Sequence, residues 1–151
     1  MSLIRLLPAW LHAIADYAVG ASLIVAALMI GGSAAAIATG VVVGATVLGV
    51  SMLTKYPLGF KKVLPFQLHS AGDYLAATLL LVAPFALGFN HSDTGLTAIY
   101  VVAGIAVAAV SLITNYQYSE VDEVAVAPVR VETRTAARPR RSAPLTADRK
   151  S

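Results

Sequence analysis

Four long apolar stretches, at roughly residues 9–30, 35–55, 67–89 and 95–115, constrain this chain more than any other feature. Each holds about 20 residues or slightly more, enough at about 1.5 Å rise per residue to cross a hydrocarbon layer of about 30 Å. A segment at that depth must satisfy its backbone polar groups internally, so each stretch is read as a helix. Val41-Val42-Val43 would suit a strand in water, but here it lies inside a long run with no polar alternation. Only 13% of the residues are charged, about half the share of a soluble domain. The fold class expected is therefore all-α, a four-transmembrane-helix bundle. The first stretch starts like a secretory signal, with Arg5 before an apolar run. It is too long for an ordinary signal core and contains Asp16, so a retained helix is expected.

The breaks between the stretches set the topology. Gly31-Gly32-Ser33 and the run 90–95 are short turns, so the segments they join are antiparallel neighbours. A longer central loop holds Pro57, Gly59, Lys61 and Lys62. All 11 basic residues lie before the first segment, around the central loop or after the fourth. The positive-inside rule then places both termini and the central loop in the cytoplasm, with the chain multi-pass in the cell (inner) membrane. From 119 to 151 the composition turns polar and proline-containing. Such a segment buries too little apolar surface to fold alone and is expected to be a disordered tail. Its arginines suit anionic lipid headgroups. Nothing in the chain points to nucleic acid.

The chain also repeats itself. At an offset of 57, Leu7-Pro8-Ala9-Trp10-Leu11-His12 falls on Leu64-Pro65-Phe66-Gln67-Leu68-His69, and Asp16-Tyr17 falls on Asp73-Tyr74. Past the first turn the offset becomes 60, and Ser51-Met52-Leu53-Thr54-Lys55-Tyr56 falls on Ser111-Leu112-Ile113-Thr114-Asn115-Tyr116. Aliphatic matches mean little here, but Pro, His, Asp and Tyr in one frame are specific. Two tandem two-helix repeats follow, 1–62 and 63–118, ahead of the tail. Units with two spans share an orientation, so a pseudo-twofold should run along the membrane normal.

The repeated L-P-x-x-L-H-x-x-x-D-Y motif carries the candidate site. His12 and Asp16, and His69 and Asp73, are spaced i, i+4 and share a helix face. Each Asp lies about 12 Å beyond its proline, at or inside the hydrocarbon edge. Ionisable residues at such depth suggest function. No cofactor is expected, and three chemistries stand as alternatives: a proton or cation relay, a divalent metal on which the two His and two Asp converge, and a haem between His12 and His69. The last is disfavoured because the motif keeps its Asp as firmly as its His. A structural use fits as well, with His–Asp hydrogen bonds tying the hairpins together near their helix starts.

Other residues suggest packing and anchoring. Gly40 and Gly44 form a G-x-x-x-G, and Gly104 pairs with Ala108, which permits close helix approach within the bundle or in a homo-oligomer. Trp10, Tyr17, Tyr56, Tyr74 and Tyr116 sit where aromatic side chains anchor at headgroup level. There is no Walker motif, dinucleotide fingerprint or H-E-x-x-H, and no serine or threonine has a base beside it in sequence, so an enzyme is not expected.

The repeated H-x-x-x-D-Y, followed in the second repeat by Ala83-Pro84-Phe85, resembles the SPW-repeat integral membrane proteins, named for a Ser-Pro-Trp near the outer end of a helix. The first repeat has Ala26-Ala27-Leu28 there and departs from that pattern. The resemblance covers about residues 7–116 and implies paired two-helix units without implying an activity. The expectation is a small membrane protein with a structural or accessory role, alone or in a larger complex. The alternative is a small proton- or metal-handling transporter or sensor built on His12, Asp16, His69 and Asp73.

Overall fold

The computed structural model describes residues 6–116, so Arg5 and the tail expected to be disordered lie outside the described residues. Within them are four helices: α1 (Ala9–Ile30), α2 (Ala34–Leu53), α3 (Phe66–Ala86) and α4 (Thr94–Ile113). All four are long and apolar enough to cross a membrane. α1 stops at Gly31 and Gly32, whose φ values of 72° and 139° are costly for other residues. Ser33 then caps α2 by accepting from the Ala36 N–H. Inside α3, Pro84 accepts at its carbonyl from the N–H groups of Phe89 and Asn90. The helix therefore closes at Ala86 instead of continuing to 89.

α2 and α4 also end earlier than their apolar content predicts, and both end the same way. Thr54 and Thr114 turn extended, with φ −78° and ψ 142° and 140°. Each chain end then pairs with the strand-like segment that leads into a neighbouring helix. Lys55 N donates to Leu64 O at 2.8 Å and Leu64 N to Leu53 O at 2.8 Å. Asn115 N donates to Leu7 O at 3.1 Å and Leu7 N to Ile113 O at 2.9 Å. These equivalent bridges tie α2 to α3 and α4 to α1 at the end of the bundle that carries the central loop, hereafter the loop end. The opposite end is the turn end.

Small residues set the packing. α1 lies mainly on α2, and α3 on α4. A side chain at Gly44 would meet the Gly20 carbonyl at 2.7 Å, and one at Gly104 would meet the Ala77 carbonyl at 3.0 Å. One at Gly40 would strike the Tyr100 hydroxyl and approach Ala27 Cβ to 2.7 Å. All three expected packing glycines thus serve contacts inside the bundle, and Gly20 joins them. The core towards the turn end holds Leu23, Leu80, Phe89, Leu96 and Tyr100, all nearly fully buried. Large apolar side chains such as Met29, Val42, Leu75, Phe85 and Val102 point outward. A belt of that kind is at home against lipid and anomalous against water.

Candidate metal centre

α1 and α3 lie diagonally and make no backbone approach among the described residues, yet their polar side chains meet between them. His12 and His69 sit in the first turn of their helices and Asp16 and Asp73 one turn later. Burial is 1% exposed for each histidine, 8% for Asp16 and 6% for Asp73. The two Nε2 atoms lie 3.3 Å apart. His12 Nε2 is 3.3 Å from Asp16 Oδ2 and 3.3 Å from Asp73 Oδ2. His69 Nε2 is 3.1 Å from Asp16 Oδ2 and 3.1 Å from Asp73 Oδ1. The sequence-predicted tetrad is therefore one cluster, not two separate pairs.

Around the tetrad is a shell contributed by the ends of α2 and α4. Thr114 Oγ1 lies 2.9 Å from His12 Nδ1, and Thr54 Oγ1 lies 2.9 Å from His69 Nδ1. Each threonine hydroxyl has one proton and donates it to a carbonyl in the preceding turn, Val110 O or Val50 O, at 2.7 Å. It must then accept from the imidazole. Nδ1 carries hydrogen in both histidines, and in the neutral ring Nε2 presents its lone pair to the centre. Each histidine thus uses the threonine of the other hairpin, whereas each aspartate uses its own. Asp16 Oδ2 accepts from Ser51 and Tyr56, both at 3.4 Å. Asp73 Oδ2 accepts from Ser111 at 3.2 Å and Tyr116 at 2.8 Å.

Two of the expected headgroup anchors are therefore corrected. Tyr56 and Tyr116 are 0% and 6% exposed and face inward. The bridges that end α2 and α4 swing these tyrosines over the centre, where their hydroxyls find carboxylates. Burial raises both phenol pKa values well above the ordinary tyrosine range. For Tyr116 the nearby Asp73 charge raises it further. Trp10 is half exposed, Tyr74 is half-buried, and the half-buried Tyr17 donates to Leu58 O at 3.0 Å. Phe66 closes the loop end, with its ring 4.7 Å from Tyr116, 5.5 Å from Tyr56 and 5.6 Å from His12. Its counterpart in the first repeat is Ala9, because one ring fills the space on the axis.

The Ser-x-x-Thr-x-Tyr frame that supplies this shell is visible in the sequence at 51–56 and 111–116. Nothing local marks it as part of the site, because its partners lie up to 102 residues away.

With both rings neutral, Nε2 lone pairs and carboxylate oxygens converge and the middle of the tetrad contains acceptors only. A tetrahedral ion with bonds of 2.0–2.1 Å separates its ligand atoms by about 3.3–3.4 Å. With either oxygen of Asp73 as the fourth ligand atom, four of the six separations are 3.1–3.3 Å, and one ligand atom from each residue can be chosen so that all four lie within 4.8 Å of one another. Nδ1–H held by an oxygen acceptor is the usual outer-shell support for a metal-bound histidine. The same closeness leaves no slot for a macrocycle between the two histidines.

A second polar contact links the hairpins at the turn end. Asp93 Oδ1 accepts from the Ser33 N–H at 3.0 Å, and Oδ2 from the hydroxyls of Ser33 at 2.7 Å and Ser92 at 2.9 Å. The Ser33 hydroxyl, then the Ser33 N–H and then Ser92 hold the Asp93 carboxyl below its ordinary pKa.

No family model matches this chain, and neither the curated proteins nor the solved structures yield a similar one.

Proposed function

We propose that this chain is a multi-pass membrane protein that binds one divalent transition-metal ion, of the zinc type, through His12, Asp16, His69 and Asp73. The observation that carries this reading is the near-tetrahedral spacing of four buried acceptor atoms whose histidine tautomers are set by Thr54 and Thr114. Charge supports it. Two carboxylates and one divalent cation sum to zero, the state that a low-dielectric interior favours. Four protein ligands leave no open coordination position, as in structural metal centres. The ion would then fasten one tandem hairpin repeat to the other, in place of the metal-free His–Asp hydrogen bonds expected from the sequence. The equivalent bridges at Leu7 and Leu64, and the equivalent shells, support the tandem-repeat reading. In this proposal the loop end faces the cytoplasm, on the strength of Lys55, Lys61 and Lys62.

The test is metal analysis of protein purified in mild detergent without chelator. One equivalent of zinc or a neighbouring transition metal per chain is expected, falling below a tenth in Asp16→Asn/Asp73→Asn. A folded wild-type chain that neither carries nor takes up such an ion would sink the proposal, and so would a Soret absorbance.

A further inference from the structure

The centre is walled off from both aqueous sides but not from the side. Towards the loop end stand the rings of Phe66, Tyr56 and Tyr116. Two turns beyond the aspartates towards the turn end stand Leu23 and Leu80, 1% and 0% exposed. Between α2 and α3, however, a groove of about 240 Å³ runs along the lipid-facing flank. Val43, Val50, Leu75 and Leu79 line it, and His69 and Asp73 are among its lining residues. From Val42 to Val50 it follows α2 for about 12 Å, at 1.5 Å per residue. The equivalent cleft between α1 and α4, beside His12 and Asp16, holds only about 30 Å³.

The difference lies in the sequence. On the open side α3 presents Gly72 and Ala76, where α1 presents Ala15 and Val19 in the same frame. A side chain at Gly72 would meet nothing within 4 Å. The second repeat thus keeps an aliphatic channel that the first repeat fills, and the channel leads to two buried polar groups. Its polar end is the Asp73 carboxylate, an acceptor, since His69 has Nδ1 committed to Thr54 and Nε2 to the tetrad.

We infer that the α2/α3 groove binds a lipid-soluble molecule with a slim aliphatic chain and a hydroxyl that donates to Asp73. An aliphatic wall selects the chain, and an acceptor-only end selects a donor over a carboxylate or phosphate. The ligand enters sideways from the bilayer, since neither aqueous end opens on the centre. The inference goes beyond the metal proposal: it takes Asp73 of the same cluster as its polar end and does not require the ion.

The test uses the full chain in phosphatidylcholine vesicles and a straight-chain alcohol bearing a diazirine on its tail. After photolysis, labelled residues are mapped by mass spectrometry. Labelling of groove residues on α2 and α3 should saturate, exceed that on the α1/α4 flank at least tenfold, and be competed by unlabelled alcohol but not by the matching methyl ether. Gly72→Ala/Ala76→Val installs the residues that the first repeat already accommodates and should reduce groove labelling about tenfold with metal content unchanged. Non-saturable labelling, equal on both flanks, would overturn the inference, as would equal competition by the ether. The wild-type competition decides even if the double variant folds poorly. Metal analysis of the same vesicles separates the two ideas: saturable labelling without metal removes the metal proposal alone, and metal without saturable labelling removes the groove ligand alone.

Discussion

The hydroxyl of Thr54 gives its one proton to the Val50 carbonyl, and that of Thr114 gives its proton to Val110. Each hydroxyl is thereby turned into an acceptor for an imidazole N–H, and the opposite ring nitrogen is left as a ligand. Thr54→Val and Thr114→Val keep the branched shape and delete the acceptor. Each should weaken metal binding about 10–100-fold, the usual effect of removing an outer-shell partner. Thr54→Ser should restore most of it. Isothermal titration of metal into stripped protein is the check, with unchanged helical circular dichroism as the control. The two tyrosines differ in a similarly readable way. Tyr116 lies 2.8 Å from its carboxylate and Tyr56 lies 3.4 Å from its own. Tyr116→Phe should cost about 1–2 kcal/mol in unfolding and Tyr56→Phe less. Both phenol pKa values are raised in the fold, so the stability linked to them is complete below the unfolded value of about 10 and declines only at higher pH. An absorbance titration to pH 11 of the folded chain should therefore show no phenolate lost when both are changed to Phe.

At the level of the helices, the hairpins are held by close backbone approach and their ends by polar clasps. Gly44→Ala places a methyl group 2.7 Å from the Gly20 carbonyl. Neither group can move without parting α1 from α2, and a loss of about 1–3 kcal/mol is expected. Gly49→Ala, where a side chain meets nothing within 4 Å, should be close to neutral. Thermal unfolding in detergent compares the two. The turn-end clasp adds a pH dependence. Asp93 has a folded pKa below its unfolded value of about 3.9, so its contribution is complete above that value and is lost as the pH falls through the folded one. Wild-type unfolding temperature should drop between pH 5 and pH 3 by more than that of Asp93→Asn, which has no charge to lose. Equal slopes would remove Asp93 as the source. The existence of these helices was legible from the length of their apolar runs. Their ends at Thr54 and Thr114 were not, because a tertiary bridge to Leu64 or Leu7 stops each helix while the apolar sequence continues. The same bridges explain why Tyr56 and Tyr116 read as headgroup anchors and yet lie buried over the carboxylates.

Considered whole, and on the proposed two-repeat reading, the molecule departs from a twofold where residues meet near the axis. Phe66 stands opposite Ala9, Tyr100 fills the place that Gly40 leaves and donates to the Ala36 carbonyl at 2.8 Å, and Asp93 accepts from its own counterpart Ser33. Two identical side chains cannot share one site on an axis, and a single chain is free to make them complementary. The tetrad keeps the symmetry, because its members stand around the axis and a central ion can serve both halves alike. This is why the sequence offered one cluster only as an alternative beside two separate pairs: the frame reveals equivalence, not which copies touch. The ion's contribution should then appear as cohesion between halves. Across the repeats the bundle has a groove on one flank, the two bridges, the turn-end clasp, the Tyr100 contact and the centre. A protease site placed at 58–60, where Leu58 and Phe60 are exposed, would cut the covalent link while leaving these contacts in place. With metal bound, the nicked halves should elute together in size exclusion, and saturating metal at 100 times Kd should add about 2.7 kcal/mol to their association. Chelator should release them, and nicked Asp16→Asn/Asp73→Asn should separate to the same extent with and without metal. Halves that stay together equally well after the ion is stripped would show that packing alone joins them, and the centre would then need a purpose other than cohesion.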